Sequence, residues 1–147
     1  MNLRQHPELA ADVAKNGLNE VASLAAVEQL IDPPLLADVA RNAKFAFVRL
    51  AAIEKLADPA LLADLAKTHR NTYVRRVAVE RKLDPPQHQP LLADLAKNDA
   101  ASIVRQAAVE KLTSHALLAD LAKTAGDPNV RATAAAKLGS QYPIKAS

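Results

Sequence analysis

Leucine and alanine recur along the chain in a fixed pattern. Leu-Leu-Ala-Asp occurs at Leu35–Asp38, Leu61–Asp64, Leu91–Asp94 and Leu117–Asp120, with a degenerate copy at Leu9–Asp12. The starts are 26, 26, 30 and 26 residues apart. A second block follows each start by 13 residues, at Ala22–Leu30, Val48–Leu56, Val74–Lys82, Val104–Leu112 and Val130–Leu138. In three copies it is close to Val-Arg-x-x-Ala-x-Glu-Lys-Leu. Periods of this length denote repeat architectures, and each unit reads as two short helices, A and B. In helix A, Leu62, Leu65 and Ala66 share one face; in helix B, Val48, Ala52 and Leu56 align, with Ile53 beside them. One repeat then has helix A near Pro33–Arg41 and helix B near Phe47–Leu56. Helices this short are marginal alone in water and need packing against neighbours.

Punctuation supports these boundaries. Asp32-Pro33-Pro34, Asp58-Pro59 and Asp84-Pro85-Pro86 each put a capping Asp before a Pro in the first helical turn, and Asp127-Pro128 does so for the last helix B. Thr72 and Ser102 are expected to cap earlier B helices. Gly139 is expected to stop the last one. The expected fold is all-α: an α-solenoid of five two-helix repeats of about 26 residues. It forms a single domain over 1–147, with repeats near 8–31, 32–57, 58–83, 84–113 and 114–138 and a tail at 139–147. In the third repeat Lys82-Leu83 stand where other repeats have Leu at the Lys82 position, so its helix B is expected to end irregularly.

The helix pairs, the Leu-Leu-Ala-Asp-Leu-Ala run and the Asp127-Pro128-Asn129-Val130-Arg131 start of a helix B resemble short HEAT-like repeats, near the leucine-rich-repeat-variant group in length. The resemblance covers roughly residues 8–138. It implies an interaction scaffold whose B helices line an inner surface. Some relatives of that group carry an iron–sulfur domain, which this cysteine-free chain does not support. Other HEAT-like proteins are bilin lyases or DNA glycosylases, but the residues those activities need are not part of the repeat motif.

Composition reinforces the helical reading. The 147 residues include 32 Ala and 21 Leu against four aromatics, Phe45, Phe47, Tyr73 and Tyr142. That balance opposes a β-sandwich or barrel. Without Cys there is no disulfide and no thiolate metal site. No run approaches the roughly 18 apolar residues of a membrane span, and no export signal is evident, so a cytoplasmic location is the default expectation. The net charge is +3. Residues 1–73 carry 8 Lys/Arg against 9 Asp/Glu, and residues 74–147 carry 11 against 7. This mild C-terminal basic bias falls short of a dedicated nucleic-acid footprint.

Chemistry concentrates in three features. Arg49, Arg75, Arg105 and Arg131 occupy the second position of helix B, with Ser23 in the first repeat. They form either a structural ladder, with the helix-A column Asp12, Asp38, Asp64, Asp94 and Asp120 as the expected partner, or a stripe for carboxylate or phosphate partners. The third position varies through Leu24, Leu50, Arg76, Gln106 and Ala132, as a binding groove or a drifting solvated face would. Arg70, Arg75, Arg76, Arg81 and Lys82 cluster near repeat three, where Glu80 can pair with Arg76. Phe47 shares a mostly apolar column with Val21, Tyr73, Ile103 and Asn129 and is expected to pack. Phe45 is the odd member of its column and a candidate exposed anchor. The four added residues Gln87–Pro90 make either a neutral edge loop or a recognition loop.

Catalytic signals are weak. His6, His69, His88 and His115 lie far apart without metal-ligand spacing, and no phosphate loop or nucleophile elbow occurs. The reading is therefore a non-catalytic binding module without cofactor or metal. Its expected partner is a protein or peptide, acidic in character, met by Leu24, Leu50, Arg75, Arg76, Arg105 and Phe45. A nucleic-acid backbone binder using the basic C-terminal half is the alternative, and an enzyme with a groove-borne site a minor one. Tyr142 and Ile144 could cover the last repeat; if they do not, the exposed end would favour self-association.

Overall fold

The computed structural model describes residues 2–141. Among them are ten α-helices and no strand, so the protein is all-α. A 3₁₀ turn, Leu3–Gln5, precedes α1 (Pro7–Asn16) and α2 (Glu20–Gln29). There follow α3 (Pro33–Asn42), α4 (Ala46–Lys55), α5 (Pro59–Thr68) and α6 (Thr72–Val77). The helix of α6 continues as a π-helical stretch, Ala78–Lys82. Then come α7 (Gln89–Asn98), α8 (Ser102–Lys111), α9 (His115–Thr124) and α10 (Pro128–Gln141). No described helix is long and apolar enough to cross a membrane.

Caps define most boundaries. The Asp32 and Asp58 carboxylates accept from the N–H groups of Leu35 and Leu61 at 3.1 and 3.0 Å, as expected. Asp127 likewise accepts from the Asn129 N–H at 2.8 Å. Three expectations need correction. Asn71, not Thr72, caps α6, accepting from the Val74 N–H at 3.2 Å. Ser102 is the first residue of α8, whose N-cap Ala101 has no side chain to accept a bond. Asp84 caps nothing: the inserted residues extend the connection into a turn, and α7 starts at Gln89 with Pro90 in its first turn.

The chain divides into two compact units between Lys82 and Leu83. In the first, each A helix packs on its own B helix, α1 also packs on α3 and α3 on α5, and α2 packs on α4 and α4 on α6. Its core holds Leu36, Val39, Val48, Ala52, Ile53, Leu56, Leu62, Leu65 and Ala66, all buried. These include the faces read from the sequence. In the second unit α7 packs on α8 and α9, while α10 packs on α8 and α9. Leu92, Leu95, Val104, Leu112, Leu118, Leu121 and Val130 are its core. Each fully buried Leu stabilises by roughly 1.5–3 kcal/mol relative to an exposed one. The abundant Ala lets such short helices approach closely.

The irregular end expected in the third repeat is the π-helical stretch. From Val48 to Leu56 is eight residues, as from Val104 to Leu112, but from Val74 to Leu83 is nine. A π turn absorbs one extra residue without breaking the helix. Leu83 is thereby buried like Leu30, Leu56 and Leu112. Gly139 does not stop α10, which runs on to Gln141. Nothing strong opposes helix there, since a Cβ at Gly139 would meet open space and Gly costs only about 1 kcal/mol in a helix. Tyr142 and Ile144 lie outside the described residues.

Candidate binding face

The helix-B arginines are built into the turns. Arg49 Nη1 donates to the Ala43 carbonyl, Arg75 Nη1 to His69, Arg105 Nη1 to Asp99 and Arg131 Nη1 to Ala125, each at 2.7 Å. These four acceptors are the C-cap residues of α3, α5, α7 and α9. Each guanidinium therefore closes the C-terminus of its own helix A, where orphan carbonyls and the negative dipole end favour a cation. In the first repeat buried Ser23 substitutes, donating to the Val13 carbonyl at 3.1 Å.

Asp38 and Asp64 pair with helix-A cations. Lys15 Nζ reaches Asp38 at 2.6 Å, and Arg41 pairs with Asp64. The bond from Lys15 holds the Asp38 carboxyl below its usual range. For Asp38 and Asp64 the expected pairing with the helix-B arginines is thus corrected: their partners are basic residues of the preceding helix A. Arg105 does reach an acid of the next repeat, its Nε lying 3.1 Å from Asp127. Bonding to the Asn129 backbone, then to Arg105, keeps Asp127 below its usual range.

Much of the basic cluster is also engaged. Arg76 pairs with Glu80 at 2.8 Å and Arg81 with Glu54 at 2.9 Å. Lys82 donates to the Glu54 carbonyl at 3.0 Å. Lys55 donates to the Val27 and Glu28 carbonyls at 2.9 and 2.7 Å, and Lys137 to that of Glu110. Partial burial pushes the Lys55 and Lys137 ammonium groups down from their ordinary value. These lysines close the C-termini of the preceding B helices. Sequence reasoning missed that role, although a recurring Lys just before the core Leu was its signal.

The apolar column behaves differently from the expectation. Phe47 is 67% exposed, Val21 78% and Tyr73 52%. Phe47 precedes core-facing Val48 by one residue, a rotation of about 100° on a helix, and so cannot share its burial. The packed reading of Phe47 is corrected. Leu24 and Leu50, one turn on, are half-buried beside this column. Phe45, the candidate anchor, is also half-buried, with Lys44 Nζ 5.3 Å from its ring centre. Arg75 and Arg105 sit in their turns, Arg76 lies at the edge of the face, and Ile103 of the second unit is 44% exposed.

Four rows therefore cross the B helices of the first unit at 26-residue intervals. Leu18, Lys44 and Arg70 come first, in the A–B turns, all exposed; then Val21, Phe47 and Tyr73. Leu24, Leu50 and Arg76 follow, and exposed Glu28, Glu54 and Glu80 end the face. Lys44 and Arg70 form no ion pair among the described residues.

Depressions also occur in the second unit. One of about 580 Å³ in the second unit includes Lys97, Asp99, Arg105 and Asp127. A neighbouring one of about 410 Å³ includes Ile103, Gln106 and Thr133. The Gln106 amide donates to Thr133 at 2.9 Å, while its Oε1 has no partner among the described residues. No cluster of His, Cys, Asp and Glu suited to a metal ion occurs among the described residues. Comparison with family models, curated proteins and solved structures found no match.

Proposed function

We propose that this protein is a HEAT-like α-solenoid of five two-helix repeats, acting as a non-catalytic protein- or peptide-binding scaffold through its helix-B face. The observation that carries the reading is the exposed apolar row Val21, Phe47 and Tyr73, held in one register on neighbouring helices. Isolated exposed apolar side chains are ordinary, but an aligned series flanked by charge is the form of an interaction surface. Aromatic anchors contribute heavily to such interfaces. Repeat packing within each unit supports the solenoid. The engagement of Arg75, Arg76, Arg81 and Lys82 inside the molecule weighs against a continuous phosphate-binding track.

The test is affinity capture from cell lysate at moderate salt, comparing the wild type with Phe47→Ser and analysing eluates for protein and nucleic acid. Proteins recovered by the wild type and lost with the variant are expected. Nucleic acid recovered equally by both, without such proteins, would overturn the reading.

A further inference from the structure

We infer that the occupant of this face is an amphipathic α-helix with an acidic flank, lying across α2, α4 and α6 with that flank over Lys44 and Arg70. The inference rests on the binding reading above and adds the shape and charge of the partner.

Spacing speaks for a helix. Packed helices lie about 8–10 Å apart, so Val21, Phe47 and Tyr73 form steps of that size. Helical residues i and i+7 are about 10.5 Å apart on one side, close to this step. Same-side residues of a β-strand recur every ~6.6–6.8 Å and drift out of register over three ridges. Width points the same way. From Phe47 to Glu54 is seven residues of helix, about 10 Å, and a helix with its side chains is about 10–12 Å across. A polyproline chain matches the step, at about 9.3 Å per turn, but fills less of the width.

Charge fixes the orientation. On one margin, Lys44 and Arg70 are exposed and outside any described ion pair. On the other, Glu54 and Glu80 are already paired with Arg81 and Arg76, and only Glu28 stands outside any described ion pair. Two such cations against one such acid leave the excess positive, and it lies beside the aromatic row. Complementarity of this kind sets register and speeds encounter.

The experiment is selection from a random 16-residue peptide display library on the full chain, with counter-selection on Phe47→Ser. Phe47 is exposed, so that variant should fold; circular dichroism checks this, and Tyr73→Ser serves as a second counter-selection. The expected peptides have apolar residues at helical spacing and Asp or Glu along one flank. Their affinity should fall at least about tenfold with Phe47→Ser, and on the order of tenfold with Lys44→Glu combined with Arg70→Glu, an effect weakened by salt. Phe47-dependent peptides that are extended, proline-rich, or neutral or basic along the flank would overturn the inference while leaving the binding reading intact. An absence of any Phe47-dependent or Tyr73-dependent peptide would overturn both.

Discussion

Arg49 donates from Nη1 to the carbonyl of Ala43 at 2.7 Å, six residues back, and so closes the end of α3 from the start of α4. The same side chain reaches toward the Lys44 carbonyl at 3.4 Å. Arg49→Leu keeps apolar bulk and removes the donor to a buried C-cap. The expected loss is about 1.5–3 kcal/mol, the scale of a hydrogen bond to a charged group. Arg49→Lys should recover only part of it, since an ammonium lacks the planar fork. Urea unfolding of the three proteins measures this. An Arg49→Leu variant as stable as wild type would mean the turn is held by packing alone.

Gly17 and Ser23 form the first repeat's version of that closure. A Cβ on Gly17 would stand 2.6 Å from Ser23 Oγ and 2.7 Å from the Val13 carbonyl oxygen. The backbone itself is unstrained, with φ −55°. The glycine is required by crowding, not by its dihedral angles. Gly17→Ala should destabilise by about 1–3 kcal/mol, as overpacking does. Adding Ser23→Ala removes the hydroxyl contact but not the carbonyl contact, so relief should be partial. Thermal melting of the single and double variants tests this; full rescue would show that the carbonyl can move.

His69 should give the fold a pH dependence. The ring is buried, its Nε2 is 2.8 Å from the Ala40 carbonyl, and its Nδ1 accepts from the Asn71 N–H at 3.0 Å. That pair of bonds requires the neutral ring with its proton on Nε2. Burial lowers the pKa below the ordinary 6.5, the Ala40 bond acts in the opposite sense, and the charges of Arg41, Arg49 and Arg70 lower it further. The unfolded chain then binds a proton before the folded one does. Stability should be fully present above about pH 6.5 and decline as pH falls from there through the folded pKa. His69→Gln should be less stable at pH 7 but show a flatter dependence between pH 7 and 5. Equal slopes in denaturant titrations of the two proteins would refute this assignment.

The helices, their caps at Asp32 and Asp58, and the core faces were legible because each depends on local spacing. Side chains whose role depends on a neighbouring repeat were harder to read. The composition of the Phe47 column suggested packing, yet burial is decided by angle around the helix, and its neighbour Val48 occupies the inward direction. Asp84-Pro85-Pro86 has the form of a cap, but the following insertion let the chain turn first and begin α7 at Gln89. Gln89 then ties the turn to the next connection: its amide donates to the Pro85 carbonyl, and its Oε1 accepts from the Thr113 and Ser114 N–H groups. The arginine column was visible, but its acceptors are backbone carbonyls, which no side-chain pattern marks. Of the six residues read as contacts, Leu24, Leu50 and Arg76 lie in the rows across the face, whereas Lys44 and Arg70 supply its unpaired charge.

The π-helical stretch yields the clearest test of how the repeats keep register. Residues 74–83 read Val-Arg-Arg-Val-Ala-Val-Glu-Arg-Lys-Leu, and removal of Arg81 restores the Glu-Lys-Leu ending of the second and fourth repeats. The π turn lets Lys82 reach the Glu54 carbonyl and Leu83 reach the core despite the extra residue. Deleting Arg81 should therefore leave Lys82 and Leu83 in place and let α6 continue as ordinary α-helix. It removes the Arg81–Glu54 pair, whose side chains are 57% and 45% exposed, and a solvent-screened pair of this kind contributes little. The expected result is a folded protein within about 1 kcal/mol of wild type. Deleting Ala78 should give the same sequence length but cost several times more, because it shifts the buried Val79 and the Arg76–Glu80 pair while keeping Arg81. Chemical denaturation of both deletions decides the matter: equal losses would show that the stretch tolerates a missing residue anywhere, and the register argument would fall.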